Sequence, residues 1–211
     1  MRFHTAMRTD RPDPADLPPP LPLHAHAEED LRYIRTAIER AGAFTSISGW
    51  GQVAVGITAL AAAAIAPLDH TQDRWVAIWL GEALVAAAIS IWSAAIKAQR
   101  LGVPLFGAPA QRFMLAFATP AAAGAVLTAA LVHAHSYALL PGTWLLLYGA
   151  AVAGGGAFSV RIVPAMGAVF MVLGAAALLL SPMWIANLWL ALGFGLVHIG
   201  FGAWIAWRHG G

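Results

Sequence analysis

Residues 27–66 read AEEDLRYIRTAIERAGAFTSISGWGQVAVGITALAAAAIA, and within this stretch a charged segment leads directly into a long apolar run. From Ser46 to Ala66 the chain carries no charged residue. At about 1.5 Å per residue, a helical run of about 20 residues crosses the ~30 Å hydrocarbon core of a bilayer. The stretch therefore marks the point at which the chain passes from water into a membrane.

The composition of the whole chain is typical of a membrane protein. Of its 211 residues, 60% are hydrophobic and 10% are charged, whereas soluble domains average roughly 25% charged residues. The absence of cysteine excludes disulfides, thiolate metal sites, iron–sulfur clusters and cysteine nucleophiles. Lysine and arginine lie mostly beside the ends of apolar runs and do not cluster as phosphate contacts require, so we expect no nucleic-acid partner. The partner that this composition implies is the lipid bilayer.

Six apolar runs indicate the fold class. We place them at residues 46–66, 75–96, 113–132, 139–158, 162–180 and 184–207. Each run is long enough to span a bilayer as a helix. Proline in or beside the turns, at Pro67, Pro141 and Pro182, indicates three outward-pointing helical hairpins. The sequence predicts an all-α polytopic membrane protein whose six transmembrane helices form three hairpins, preceded by a short cytoplasmic amphipathic helix.

The distribution of positive charge predicts the orientation. Eleven of the twelve Lys and Arg residues fall on one side of the six runs, and the exception is Arg74. By the positive-inside rule that side is cytoplasmic, so we expect both the N- and the C-terminus in the cytoplasm. Eleven arginines against one lysine, with abundant Ala, Gly and Pro, are typical of a GC-rich bacterial genome. We therefore expect a bacterial inner (cytoplasmic) membrane protein.

The residues before the first apolar run divide into two parts. Residues 1–27 are rich in proline, and we expect a disordered cytoplasmic arm. Residues 28–45 place Leu31, Ile34 and Ile38 at helical spacing, with acids before them and arginines among and after them. This amphipathic helix either lies along the membrane surface or packs against a cytoplasmic protein partner, which residues 1–45 would contact. The bundle then occupies residues 46–208, and its Ala- and Gly-rich surfaces favour a homo-oligomer.

Three polar residues inside the predicted spans are candidates for a functional site. Glu82 is the only acidic one, about 10 Å from the outer end of the second helix. Tyr148 enters from the same side to a similar depth, so we expect its hydroxyl to contact Glu82. For His198, among glycines of the sixth span, we expect a helix-packing role. The residues form either a polar site for a proton, cation or ligand, or a structural hydrogen-bond network, because unpaired charge is costly in lipid.

His133 and His135, in a predicted outer turn, are the candidates for an external metal site together with His70. Their spacing brings the two side chains together in an extended turn and points them apart in a helix. The competing interpretation is that they are exposed loop histidines. We expect no bound metal and no cofactor, because a haem on His198 would need a second axial ligand at the same depth.

Residues 166–206, MGAVFMVLGAAALLLSPMWIANLWLALGFGLVHIGFGAWIA, resemble the bacterial acid-resistance membrane protein family. The resemblance implies six helices in three hairpins with Gly-rich, proline-ended turns, in a non-enzymatic inner-membrane protein. It brings no catalytic motif with it. The segment DLRYIRTAIERAGAF at residues 30–44 also looks like members of an uncharacterised bacterial six-span membrane family, which brings no activity either.

The sequence contains no motif that predicts catalysis. It has no HExxH or GxSxG motif and no pair of carboxylates within the spans. We therefore expect that the protein is not an enzyme. The leading hypothesis is a regulatory or stress-related interaction module. The alternatives are a small-solute or proton transporter or channel that uses Glu82, and an external metal-binding membrane protein that uses His133 and His135.

Overall fold

The computed structural model describes residues 31, 34, 47–66, 71–102, 104–180 and 185–209. The predicted all-α class is confirmed, because the elements formed by these residues are all helical. The helices of the bundle are α1 (Gly49–Ile65), α2 (Gln72–Leu101), α3 (Ala108–His133), α4 (Leu140–Gly156), α5 (Ile162–Leu180) and α6 (residues 186–209). A 3-10 turn at Tyr137–Leu139 precedes α4, and α6 contains a π-helical segment at Ala191–Val197.

The lengths of the helices support a membrane protein. Within the described part of the chain, five segments are each long and apolar enough to cross a bilayer: α2, α3, α5, α6, and α4 together with its preceding 3-10 turn (Tyr137–Gly156). The first apolar run forms a shorter helix, since α1 has 17 residues and is about 25 Å long at 1.5 Å per residue. Its N-terminus is capped by Ser48, whose Oγ accepts a hydrogen bond from the Gly51 N–H at 3.1 Å.

α2 and α3 extend beyond the apolar runs that predicted them. α2 has 30 residues and continues through Lys97 and Arg100. It ends at Gly102, whose positive φ of 65° is the usual glycine conformation after a helix C-terminus. The difference arises because backbone hydrogen bonding continues through charged residues after the apolar run has stopped.

Consecutive helices of the bundle run antiparallel. The start of α1 lies beside the end of α2, where Lys97 Nζ donates to the carbonyl oxygen of Ile47 at 3.0 Å. We call this end of the bundle the entry end. At the opposite end, the far end, the Tyr137 hydroxyl before α4 donates to Asp73 Oδ1 at the start of α2, at 2.8 Å.

Glycines at seven-residue intervals bring α4 and α5 into backbone contact. Gly142 and Gly149 on α4 face Gly174 and Gly167 on α5. A Cβ atom added at Gly149 would lie 2.6 Å from the backbone nitrogen of Met171 and 2.7 Å from the carbonyl oxygen of Gly167. Only glycine permits this approach, which is a common way to pack helices in lipid. As a result, α4 and α5 form the most extensively packed helix pair of the described chain.

The first and last helices pack by the same device. Gly49 and Gly56 of α1 face Gly202 and Gly195 of α6, again seven residues apart on each helix. A Cβ atom added at Gly202 would lie 2.8 Å from both the Gly49 carbonyl oxygen and the Val53 backbone nitrogen. α1 therefore lies antiparallel against α6 along most of its length.

These two glycine-rich contacts decide how the predicted hairpins pack. The pairs α1–α2 and α3–α4 are in contact, as expected for hairpins. The fifth and sixth helices, in contrast, pack mainly on α4 and α1 and much less on each other. The closest helix pairs are consequently α4–α5 and α1–α6, because glycine allows the backbones to approach there.

The two N-terminal segments lie almost wholly outside the described residues. The predicted arm at residues 1–27 is among the undescribed part of the chain. Of the predicted amphipathic helix at residues 28–45, Leu31 and Ile34 are described, and both are helical with exposed side chains. They belong to a unit distinct from the one that contains the bundle.

We expect Gly149→Ala to destabilise the bundle, because the added methyl group would meet the backbone of α5. Overpacking of this kind costs about 1–3 kcal/mol, which a lower midpoint of thermal unfolding in detergent would report. Gly81→Ala is the matched control, because a Cβ atom there meets nothing within 4 Å. Equal unfolding midpoints for the two variants would contradict the contact between α4 and α5.

Candidate functional site

Glu82 lies near the middle of the bundle. It is ten residues into α2, about 15 Å from the far end of that helix at 1.5 Å per residue. This is deeper than the 10 Å expected from the sequence, because α2 begins at Gln72 and not at Trp75. The side chain lies on the face of α2 that packs against α1 and is half-buried.

The partner of Glu82 is Thr58 of α1. The Thr58 hydroxyl lies 2.9 Å from Glu82 Oε1 and donates to it. The same hydroxyl lies 2.9 Å from the carbonyl oxygen of Val55, one turn earlier in α1. A hydroxyl has one proton to donate and can also accept one. Glu82 Oε1 and the Val55 carbonyl oxygen are both acceptors, so the single Thr58 proton is shared between the carboxyl group of α2 and the backbone of α1.

The predicted contact between Glu82 and Tyr148 is wrong. The Tyr148 hydroxyl lies 2.8 Å from Nε2 of His198, whereas Glu82 bonds to Thr58. Equal depth in the bilayer suggested the pair, but depth does not determine which helix faces α4. Tyr148 belongs to the contact between α4 and α6, whereas Glu82 belongs to the contact between α2 and α1. The pairing predicted from the sequence therefore joined residues of two separate helix contacts.

Tyr148 and His198 form a second polar pair, which is enclosed within the bundle. His198 is 1% exposed. Its Nδ1 lies 3.0 Å from the carbonyl oxygen of Phe194, and a carbonyl can only accept, so Nδ1 carries the proton. Nε2 is then the acceptor for the Tyr148 hydroxyl. Both ring nitrogens of His198 thus have a hydrogen-bond partner within the bundle.

Aromatic rings from three helices surround the Tyr148–His198 pair. The ring centroids of Phe117, Phe170 and Phe194 lie 5.9, 4.9 and 5.2 Å from that of Tyr148, all in edge-to-face arrangements. Edge-to-face contacts of this kind each stabilise by about 0.5–1.5 kcal/mol. The Tyr148–His198 pair does not form part of a proton relay. His198 Nδ1 donates to the backbone carbonyl of Phe194, which has no proton to pass on.

The π-helical segment of α6 lies directly before His198. It covers Ala191–Val197 and includes Gly193, Gly195 and Phe194. A π-helix widens the turn and frequently accompanies a functional site. Here it places the Phe194 carbonyl against His198 while the two glycines contact Leu145 of α4 and Leu60 of α1. The distortion therefore lets α6 pack against two helices and also hold its histidine.

A third polar cluster lies toward the far end and was not expected from the sequence. Asn187 Oδ1 accepts hydrogen bonds from Nε1 of Trp75 at 2.8 Å and from Nε1 of Trp79 at 3.1 Å. The Trp75 ring stacks on Trp144 with centroids 5.6 Å apart. Nε1 of Trp144 in turn donates to the Thr128 hydroxyl at 2.8 Å. The sequence contains one indication of this cluster: Asn187, the only asparagine in the chain, lies within a predicted span and needs a hydrogen-bond partner there.

The structure does not assemble the candidate metal ligands. His133 ends α3, and both it and His135 are exposed. The His135 ring lies 6.1 Å from that of Tyr137, between centroids. Across the described residues no group of three or more His, Asp or Glu side chains is placed to hold a metal ion. His70, the third candidate, lies outside the described residues.

The predicted partner-binding residues are described only in part. Leu31 and Ile34 are 66% and 52% exposed, one helical turn apart. The binding of a membrane surface or a partner by these residues stays a prediction. Ile38, the third predicted residue, lies outside the described part of the chain.

No protein-family model, curated protein or solved structure matches the chain. The resemblance to the bacterial acid-resistance family accordingly stays a prediction. The functional interpretation depends on the geometry of the polar pairs and on the packing around them.

We expect the variants Thr58→Val and Glu82→Met to be coupled in thermal unfolding. Removing either partner breaks the same hydrogen bond, so the double variant should lose less stability than the sum of the two single variants. Interhelical hydrogen bonds in membranes show coupling energies of about 0.6 kcal/mol on average and up to about 1.7 kcal/mol. The measurement is a double-mutant cycle in detergent.

Tyr148→Phe is the matched control for this cycle. Its hydroxyl bonds to His198, so its effect should add to that of Glu82→Met without coupling. Coupling between Tyr148→Phe and Glu82→Met, with none between Thr58→Val and Glu82→Met, would restore the pairing expected from the sequence.

Proposed function

We propose that this chain is a non-enzymatic integral membrane protein that acts by interaction, as a regulatory or stress-related module of the bacterial inner membrane. The bundle anchors the N-terminal 45 residues, and these residues meet a cytoplasmic protein partner. The likeness of residues 166–206 to the acid-resistance family favours a role in stress.

One observation carries this proposal: three sets of polar side chains inside the bundle bond to one another. Glu82 bonds to Thr58, Tyr148 to His198, and Asn187 to two tryptophans. A transport path needs polar groups that face water. A groove described in the bundle is instead lined by apolar residues of α5 and α6, and Glu82 is not among them. This arrangement favours a structural membrane module.

The proposed topology has six spans with both termini in the cytoplasm. α1 is short for a span, but it lies beside α6 from Gly49 to Leu60, and α6 is long enough to cross a bilayer. With α1 counted as a span, the basic residues that the structure describes in the bundle lie at the entry end, except Arg74; they are Lys97, Arg100, Arg112, Arg161 and Arg208. The positive-inside rule then places that end in the cytoplasm.

Transport through Glu82 is the second candidate function. It is favoured by the position of a carboxyl group at mid-depth on a helix that is sparsely covered by the rest of the bundle. In the described part of the chain, the hydrogen bond from Thr58 involves Oε1, which leaves Oε2 available. A proton or cation carried past α2 would use that oxygen.

Accessibility of position 82 to water distinguishes the two functions. The natural chain has no cysteine, so a single Glu82→Cys variant can be labelled in proteoliposomes with a membrane-impermeant maleimide. We expect no labelling at position 82, because α1 and lipid cover it. Arg100→Cys is the positive control, since that residue is exposed at the entry end. Labelling of both positions at the same rate, with proton flux that Glu82→Gln abolishes, would establish the transport function instead.

The partner is tested by site-specific photo-cross-linking in the host cell. A photoreactive amino acid at Leu31 or Ile34 should yield a discrete cross-linked protein, because both side chains are exposed. The same amino acid at Leu101, which is 52% exposed in the bundle, is the control and should yield none. Identical cross-linking patterns at the three positions would contradict a partner that contacts the N-terminal segment.

A further inference from the structure

A long apolar groove separates α5 from α6. It exists because α5 packs mainly on α4 and α6 packs mainly on α1, so that α5 and α6 make few contacts with each other. Its volume is about 590 Å³, which is within the range of about 300–1,000 Å³ for ligand sites. Val169 and Leu173 line one wall, and Leu196, Gly200 and Trp204 line the other.

The chemistry of the groove suits a hydrocarbon chain. All nine lining residues are apolar or aromatic, and they lie on two helices long enough to cross a bilayer. The side chains of Leu196 and Trp204 are 53% and 48% exposed, so the groove is open to the surrounding lipid. An occupant in that environment must be long, flexible and without polar groups along its length.

Two arginines lie at the entry end of the groove. Arg161 directly precedes Ile162, the lining residue at the start of α5. The Arg208 guanidinium lies 5.0 Å from the centre of the Trp204 ring, in a cation–π contact. Both arginines are exposed, and within the described chain neither is paired with a carboxylate. Two positively charged side chains thus lie next to lining residues at the entry end of the groove.

We propose that the groove binds an anionic phospholipid, with one acyl chain between α5 and α6 and the headgroup phosphate between Arg161 and Arg208. Basic residues between transmembrane helices are a common binding site for anionic headgroups. Guanidinium groups bind phosphate oxygens with two parallel hydrogen bonds, which fixes the headgroup as well as attracting it. The site needs only that α5 and α6 span the bilayer, and it does not depend on the proposed interaction with a cytoplasmic partner.

Gly200 offers a variant that places a side chain in the groove. A Cβ atom added there meets nothing within 4 Å, so Gly200→Leu places its side chain in the space of the acyl chain. Gly81→Leu is the matched control, because Gly81 on α2 is equally open and lies outside the groove. Arg100→Gln is the control for charge, since Arg100 is exposed at the entry end but belongs to α2.

The test is native mass spectrometry of the full-length protein, titrated in detergent with phosphatidylglycerol or phosphatidylcholine. We expect tighter binding of phosphatidylglycerol. Arg161→Gln and Arg208→Gln should each weaken that binding about 5-fold and together about 25-fold. Gly200→Leu should remove the tightly bound lipid, whereas Gly81→Leu and Arg100→Gln should bind like the natural chain.

Several results would overturn the proposal. Equal binding of the two lipids, or equal loss with Arg100→Gln, would show that the two arginines do not select the headgroup. Displacement of the lipid by inorganic phosphate alone would show that the groove does not hold the chain. If Gly200→Leu converts a dimer into a monomer without a change in bound lipid, the groove is occupied by a second copy of the protein.

Discussion

The structure depends on one constraint, which is that a polar group within the hydrocarbon layer must find its hydrogen-bond partner inside the protein. Each polar cluster described in the bundle meets this constraint by a bond between different helices. Thr58 joins α1 to Glu82 of α2, and Tyr148 joins α4 to His198 of α6. Asn187 joins α6 to two tryptophans of α2. The same bonds that satisfy the polar groups therefore also fix which helices lie together.

Glycine determines the rest of the arrangement. Where glycines recur every seven residues, on α4 with α5 and on α1 with α6, the backbones approach closely and the packing is dense. Where they do not face each other, between α5 and α6, a groove of about 590 Å³ remains. Close packing and the lipid-sized groove thus have a common origin in the positions of the glycines.

Much of this fold follows from the sequence, because long apolar runs in a chain with few charges form transmembrane helices in lipid. The helix positions were predicted well, although Lys97 and Arg100 show that a helix can continue past its apolar run. The partners of the polar residues could not be predicted, since depth along a helix leaves its rotation undefined. Glu82 and Tyr148 lie at comparable depths, yet each faces a different neighbour. The hydrogen bonds of Asn187 could not be predicted, because their donors, Trp75 and Trp79, lie more than 100 residues away in the sequence.

Hydrogen–deuterium exchange of the full-length protein in lipid nanodiscs tests most directly whether the polar groups are sealed within the bundle. Slow exchange requires backbone amides that neither water nor local opening reaches. We expect the slowest exchange around Thr58 of α1, Glu82 of α2 and His198 of α6, and fast exchange in the link at residues 104–107. Exchange around Thr58 and Glu82 as fast as in that link would show that water reaches the middle of the bundle, and would contradict a closed set of polar pairs.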